Sequence, residues 1–149
     1  HLELVAGESA ENPREIVVQL AGGKTVETRD LGYVEEGRLH FVSRLDDMIN
    51  VSGLNVYPSE VEEVVLELPE ITDAVVYKRN HGFGNDQVCL HFVSEQPVTP
   101  RRIREWCSAK LASHQVPMSI TQVDSIPKLP NGKVSRKALS DASARPEVS

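Results

Sequence analysis

The hydrophobic positions change their period near residue 46, which predicts two parts with different architectures. Before this point, apolar residues form short runs or alternate with polar ones, as they do in strands. Residues 1–13 show no clear period. The pattern then predicts a strand at 15–20, a returning strand at 24–28 and a hairpin over 31–44. The first third of the chain is therefore expected to be small and all-β.

Helical spacing enters the pattern after residue 46. Pro58 and Pro69 bound one predicted helix, and Thr99 with Pro100 begins a second. The other expected elements are strands at 71–78, 87–94 and 120–123 and a short helix at 135–142. This order predicts the α+β fold class, with a small mixed sheet covered by helices after a short all-β part.

These changes of pattern give the expected domain organisation. Residues 1–45 form a β-rich part that ends in a hairpin, 46–142 form the α+β domain, and 143–149 form a flexible tail. The first residue is His1 instead of Met, so we expect the sequence to be a segment of a longer polypeptide.

Composition narrows the classes of function. A formal net charge of −6 over 149 residues argues against a nucleic-acid-binding surface. No apolar run approaches the roughly 18 residues that span a bilayer, so no membrane partner is expected. Cys89 and Cys107 lie in apolar segments, which predicts buried, reduced thiols and a cytoplasmic location. The five histidines lack the spacing of metal ligands, and no metal site is predicted.

Two residues of the β-rich part could contact a nucleotide. Asp30 stands between predicted strands, where a carboxylate can accept hydrogen bonds from two adjacent ribose hydroxyls. Arg44 could offer a fork of donors to the ribose or a phosphate. From the residues alone, an exposed turn Asp is the better explanation of Asp30, and an interfacial salt bridge is the better explanation of Arg44.

Three further positions each have a functional and a plain interpretation. Asp46, beside Asp47, is either part of a solvated linker or a hinge between domains. Gly53 marks either an ordinary turn or a place where a ligand approaches the backbone. Lys133 follows Asn131-Gly132 and is either a surface lysine or an ammonium that contacts a carboxylate and a phosphate together.

Three motifs give the chain a family resemblance. TRDLG resembles a T-G-D motif with Arg29 in place of Gly, a form similar to that of phenylacetate-CoA ligase relatives. SRLDDMINVSGLNVYPSEVE is similar to G-R-x-[KD]-D-x-I-[KN]-x-x-G-x-N-V-x-P-x-E-V-E and differs at Ser43, and PNGKVSR matches P-x-G-K-x-x-R. Together they resemble the C-terminal domain of adenylate-forming enzymes, the family of acyl-CoA synthetases and peptide-synthetase adenylation domains.

The resemblance implies a role for each candidate residue. Asp30 would bind the ribose hydroxyls, Arg44 would contact ribose or phosphate, and Asp46 would be the hinge. Ser52 and Gly53 would face the pantetheine channel after a rotation of the domain, when the acyl-adenylate becomes a thioester.

Lys133 would catalyse the adenylation of a carboxylic acid by ATP in the complete enzyme. That enzyme would use ATP with Mg²⁺, form AMP, and transfer the acyl group to CoA or to the phosphopantetheine of an acyl carrier protein. Residues 1–45 would be the β-rich end of its large N-terminal domain, which is the expected partner in cis or in trans. The chain alone is expected to bind no cofactor and to lack activity. The alternative is a non-catalytic carrier-protein docking or regulatory module with the same fold.

Overall fold

A computed structural model describes residues 3–80 and 85–144 of the chain. The strands are β1 (Glu3–Val5), β2 (Arg14–Gln19), β3 (Thr25–Glu35), β4 (Arg38–Arg44), β5 (Ile49–Val51), β6 (Leu54–Val56), β7 (Ile71–Asn80), β8 (Asp86–Ser94) and β9 (Ser119–Gln122). The helices are α1 (Pro58–Leu66), α2 (Pro100–Lys110) and α3 (Arg136–Ala144), with single 3₁₀ turns at Leu45–Asp47 and Ser113–Gln115. The chain divides into two compact units, 1–46 and 47–149.

The first unit contains a four-stranded antiparallel sheet in the order β1-β2-β3-β4. The strand expected at 15–20 is β2, and the expected hairpin is formed by β3 and β4. Strand β1 was not predicted. It is only three residues long, its residues are all exposed, and it is held by backbone pairing with β2, so it is too short to show a strand period.

The sequence predicted two separate elements where β3 forms one continuous strand. This prediction was wrong because the polar residues in the middle of β3 accompany a distortion of the strand and do not end it. Arg29 adopts a left-handed conformation with a φ of 59°. The pairing with β4 also shifts register between Leu31 and Gly32. Such bulges bend a strand while the ladder continues on both sides.

The second unit is built around a three-stranded sheet in the order β7-β8-β9. Strands β7 and β8 are antiparallel, whereas β8 and β9 are parallel, so the sheet is mixed and the predicted α+β class is confirmed. Helices α1 and α2 contribute apolar side chains to the core, which also includes residues from the three-stranded sheet and from the β5–β6 hairpin. The fully buried members are Ile49, Val56, Val61, Val65, Val76, Leu90, Phe92, Ile103 and Cys107.

A first-turn proline and a threonine cap explain where α1 and α2 begin. Pro58 occupies the first turn of α1, where its missing N–H costs no hydrogen bond. The Thr99 hydroxyl accepts a hydrogen bond from the Arg102 N–H at 3.3 Å and caps α2. The Trp106 indole N–H on α2 donates to the Val64 carbonyl on α1 at 2.8 Å, which joins the two helices.

Helix α3 lies against β7 near the end of the described chain. It begins one residue after the expected start and reaches Ala144. The rest of the expected tail, from residue 145, lies outside the described residues. The part of the chain that the structure describes contains no helix long and apolar enough to cross a membrane.

Candidate functional site

Asp30 and Arg44 lie opposite each other on β3 and β4. The Arg44 Nη1 donates to the Asp30 carboxylate at 2.6 Å and to the Thr28 carbonyl at 3.2 Å. The Thr28 hydroxyl donates to the Ile16 carbonyl at 2.6 Å and accepts the Asp30 N–H at 3.2 Å. Both charged side chains remain partly exposed. This pair, which we call the nucleotide pair, combines a carboxylate acceptor and a guanidinium donor, as a ribose hydroxyl next to a phosphate requires.

Asp46, the predicted hinge, forms an ion pair with Arg29. The Arg29 guanidinium donates to both oxygens of Asp46, and the Arg29 backbone N–H donates to Glu15 Oε2 at 2.9 Å. Hydrogen bonding to Asp46 and its charge raise the pKa of Arg29 above its usual value. A residue with a positive φ is normally Gly, and the related motif has Gly at this position. The sequence revealed that substitution but not the ion pair that accompanies it.

Ser52 and Gly53 form the two-residue turn of the β5–β6 hairpin, which we call the serine turn. Their φ angles are 52° and 85°, the values of a turn with two left-handed residues. The Gly53 N–H donates to Asn50 Oδ1 at 2.8 Å, and the Ser52 N–H donates to Asn85 Oδ1 at 3.0 Å. A cleft of about 180 Å³ lies beside the hairpin. Its lining includes Val51, Asp86, Val88, His114, Val116 and Met118.

Lys133 lies at the end of a second hydrogen-bonded turn, residues 129–133, which we call the lysine turn. The Asn131 Oδ1 accepts the Lys133 N–H at 2.9 Å, and the Lys133 carbonyl accepts the Leu129 N–H at 2.7 Å. Gly132 has a φ of 84°, a conformation that glycine adopts at little energetic cost and other residues do not. The Lys133 side chain is exposed, and its ammonium forms no ion pair with any residue that the structure describes. It is available to anions from outside the chain.

The sequence did not predict a half-buried ion pair between Glu62 of α1 and Arg136 of α3. The Arg136 Nη2 donates to both Glu62 oxygens, at 2.7 and 2.8 Å. Burial raises the pKa of the Glu62 carboxyl, and the hydrogen bond and charge of Arg136 oppose this rise. The two residues are 74 positions apart. The only available signal was that each belongs to one of the quoted motifs.

The structure thus gathers the predicted residues into separate groups. The nucleotide pair lies in the first unit, as does Asp46 with its partner Arg29. The serine turn and the lysine turn both belong to the second unit. Within the described ranges, 3–80 and 85–144, no hydrogen bond joins these two turns to each other.

Metal binding by the chain finds no support in the side chains that the structure describes. Among them, no group of three or more His, Cys, Asp or Glu residues could hold a metal ion. The two cysteines are buried, as predicted. Burial raises the pKa of Cys107 to about 11 and also raises that of Cys89, so neither thiol suits nucleophilic chemistry.

Comparison with known sequences identifies relatives of this chain. A family model described as the AMP-binding enzyme C-terminal domain matches residues 60–133. The 3,4-dihydroxybenzoate–(aryl-carrier protein) ligase of Bacillus anthracis is 44% identical over 139 residues, which cover 93% of this chain and 33% of that protein. The 2-succinylbenzoate–CoA ligase of Lactococcus lactis is 39% identical over 119 residues, which cover 78% of this chain and 26% of that protein.

Comparison with solved structures gives the same fold. The crystal structure of ATP-bound MatB from Rhodopseudomonas palustris superimposes with a TM-score of 0.84 and 19% identity, over 96% of this chain and 34% of that one. At this identity the likeness shows the fold alone. The chain spans a third or less of the length of the two relatives above.

Proposed function

Because the chain belongs to the AMP-binding enzyme family through its C-terminal domain, we propose that it forms the mobile lid of an ATP-dependent acid–thiol ligase. The complete enzyme would adenylate a carboxylic acid and transfer the acyl group to CoA or to a carrier-protein thiol. The observation on which this rests is the exposed Lys133 ammonium, which a hydrogen-bonded turn presents without a partner among the described residues.

In the first half-reaction, a carboxylate oxygen of the substrate attacks the α-phosphorus of ATP, and pyrophosphate leaves. Two anions must approach each other, and negative charge accumulates on the phosphoryl oxygens. We assign Lys133 to contact the carboxylate and the phosphate together, because a flexible ammonium can bring both anions together and stabilise the transition-state charge. The large N-terminal domain, in cis or in trans, would supply the carboxylate pocket, and Mg²⁺ would accompany the triphosphate.

The nucleotide pair would bind the same ATP. Asp30 would accept hydrogen bonds from the ribose hydroxyls, and Arg44 would donate to ribose or phosphate. In the structure these two side chains bond to each other at 2.6 Å, so the guanidinium already fixes the carboxylate orientation. A nucleotide would share this pair with little rearrangement, which keeps the loss of side-chain entropy small.

The second half-reaction would use the serine turn. The thiol of CoA or phosphopantetheine attacks the acyl carbonyl carbon, and AMP leaves. A rotation about Asp46 would exchange the lysine turn for the serine turn at the nucleotide. Gly53 has no side chain, and its surroundings are open, so a pantetheine arm could approach its backbone closely. The buried, reduced thiols support a cytoplasmic location for the enzyme.

The substitution Lys133→Ala in the complete enzyme tests this proposal. We expect ATP–pyrophosphate exchange to fall about 10²- to 10³-fold, the typical effect of removing one group that stabilises transition-state charge. Thioester formation from preformed acyl-adenylate should change less than about 2-fold. The acids named for the relatives, 3,4-dihydroxybenzoate and 2-succinylbenzoate, are suitable first substrates.

Lys137→Ala is the matched control, because this second exposed lysine lies on α3 only four positions away. It should leave both half-reactions unchanged. If Lys133→Ala also leaves both unchanged, the chain is a non-catalytic docking or regulatory module. The chain alone, assayed in parallel, should give no exchange.

A further inference from the structure

Apolar packing does not fix the lysine turn by itself. Ile126, before the turn, is buried, but a cleft of about 200 Å³ lies beside the start of the turn. Pro127, Leu129, Ala138 and Leu139 contribute apolar lining to this cleft, so residues of the turn and of α3 both face it. Side chains that face a void lose contacts with atoms on one side. Other interactions must therefore define where Lys133 stands.

Arg136 supplies such interactions three residues after Lys133. Besides its two hydrogen bonds to Glu62, its Nε donates to the Val76 carbonyl at 3.1 Å. The Arg136 and Glu62 side chains are only 24% and 13% exposed. A planar guanidinium with three hydrogen bonds from two of its nitrogens is fixed in both position and orientation.

The contacts with Val76 connect this ion pair to the backbone of the sheet. Glu62 Oε2 accepts the Val76 N–H at 2.8 Å, so Glu62 and Arg136 together satisfy the backbone N–H and C=O of Val76. Strand β7 lies at one edge of its sheet, where one side of the backbone has no neighbouring strand among the described residues. The position of Arg136 is thus defined by main-chain atoms of the core strand, which move little.

Asp47 also contacts this group. Its Oδ2 lies 3.5 Å from Arg136 Nη1, and its side chain is 17% exposed. Asp47 directly follows the predicted hinge residue, Asp46. Arg136 therefore joins α1, β7, the beginning of the second unit and the segment that follows the lysine turn.

We propose that Arg136 is a positioning residue for Lys133, since Glu62, Asp47 and the Val76 carbonyl hold its guanidinium and so fix the end of the lysine turn. The proposal rests on the proposed function of Lys133. The contact with Asp47 ties the residue after the hinge to the start of α3, three residues after Lys133, so that the two would move as one body when the domain rotates.

The first test compares Arg136→Lys and Glu62→Gln with Arg101→Lys in the complete enzyme. Arg101 is the matched control because its ion pair with Glu105 is exposed and lies within α2. We expect Arg136→Lys and Glu62→Gln to lower the turnover number of adenylation about 10- to 100-fold, since a displacement of about 1 Å has effects of this order. Thioester formation from preformed adenylate should change less than about 2-fold, and Arg101→Lys should change neither.

A double substitution separates positioning from general damage. If Arg136 acts through Lys133, adding Arg136→Lys to Lys133→Ala should cause no further loss of adenylation. A further loss of 10-fold or more, or an equal loss in both half-reactions, would overturn the proposal. If Lys133→Ala itself retains adenylation, the proposed function fails instead.

The second test needs no activity. In the chain alone, we expect Arg136→Lys to speed hydrogen exchange of the Leu129 and Lys133 amides, which are bonded within the lysine turn, at least 10-fold. The Cys107 amide, in the middle of α2, should keep its protection and so shows that the fold persists. Unchanged exchange at Leu129 and Lys133 would contradict the positioning role whatever the enzyme assays show.

Discussion

Gly53 and Gly132 allow a matched test of whether the two turns serve different half-reactions. Their φ angles are 85° and 84°, and a Cβ built at either position meets no atom within 4 Å. An alanine at either site therefore causes no clash and changes only the preference of the backbone. Forcing an L-residue into the left-handed region costs about 1–2 kcal/mol. Each variant of this 149-residue chain should thus lose that much stability, which is about 2–8 °C in Tm at roughly 2–4 °C per kcal/mol.

The two glycine substitutions should impair different half-reactions. Gly53→Ala should lower thioester formation from preformed adenylate about 10-fold or more, because a methyl group obstructs the proposed approach of the pantetheine arm. Gly132→Ala should instead lower ATP–pyrophosphate exchange by a similar factor, because the turn relaxes and moves Lys133. Both half-reactions are measured in the complete enzyme, and Tm is measured for each variant.

Gly37→Ala is the control for stability alone. Gly37 has a φ of 75° in the hairpin of the first unit, and its surroundings are also open. The Gly37→Ala variant should lose comparable stability while both half-reactions keep their rates. Separate roles for the two turns would be refuted if Gly53→Ala and Gly132→Ala impair the same half-reaction, or if Gly37→Ala impairs either step as strongly.

Two further predictions concern groups outside the proposed sites. Cys89 and Cys107 should not react with a thiol reagent at about pH 8 until denaturant is added, because both thiols are buried. A pKa of about 11 also leaves roughly one Cys107 thiol in a thousand ionised at that pH. Rapid labelling of the native chain would contradict this prediction. Burial, together with the charge of Arg79, lowers the pKa of His91. The folded state therefore binds fewer protons than the unfolded state as the pH falls below about 6.5, so the stabilisation present above that pH is lost. His91→Gln should therefore flatten the fall in Tm between about pH 7 and pH 5, and an unchanged slope would refute this assignment.

Periodicity predicted the elements whose apolar side chains enter the core. Helix α1 was found between its two prolines and α2 after its Thr99 cap, because helical spacing and capping are local properties. Strands β7 and β8 were found because each contains a short run of mostly β-branched or other apolar residues whose side chains enter the core. Strand β1 is instead only three residues long and depends on backbone pairing with β2, and β3 continues through a polar distortion, so neither could be predicted from local pattern.

The candidate site divides in the same way. The motifs drew attention to Lys133 and to the serine turn, and the structure places both in hydrogen-bonded turns. The assignment of their roles stays a prediction. The ion pairs of Arg29 and Arg136 could not be predicted from the sequence. Arg29 pairs with an Asp 17 positions away, and Arg136 pairs with Glu62 across 74 positions. Charge pairing over such separations is set by the fold and leaves no periodic trace in the sequence.

Strand β7 forms one edge of its sheet, and edge strands favour association of protein molecules at high concentration. An uncovered strand edge offers N–H and C=O groups to which a second molecule can add its own strand. At Val76 a carboxylate and a guanidinium occupy both groups, and charged side chains at an edge discourage such additions. The Glu62–Arg136 pair thus also protects the chain against intermolecular β-sheet growth, and this protection would be lost together with the pair.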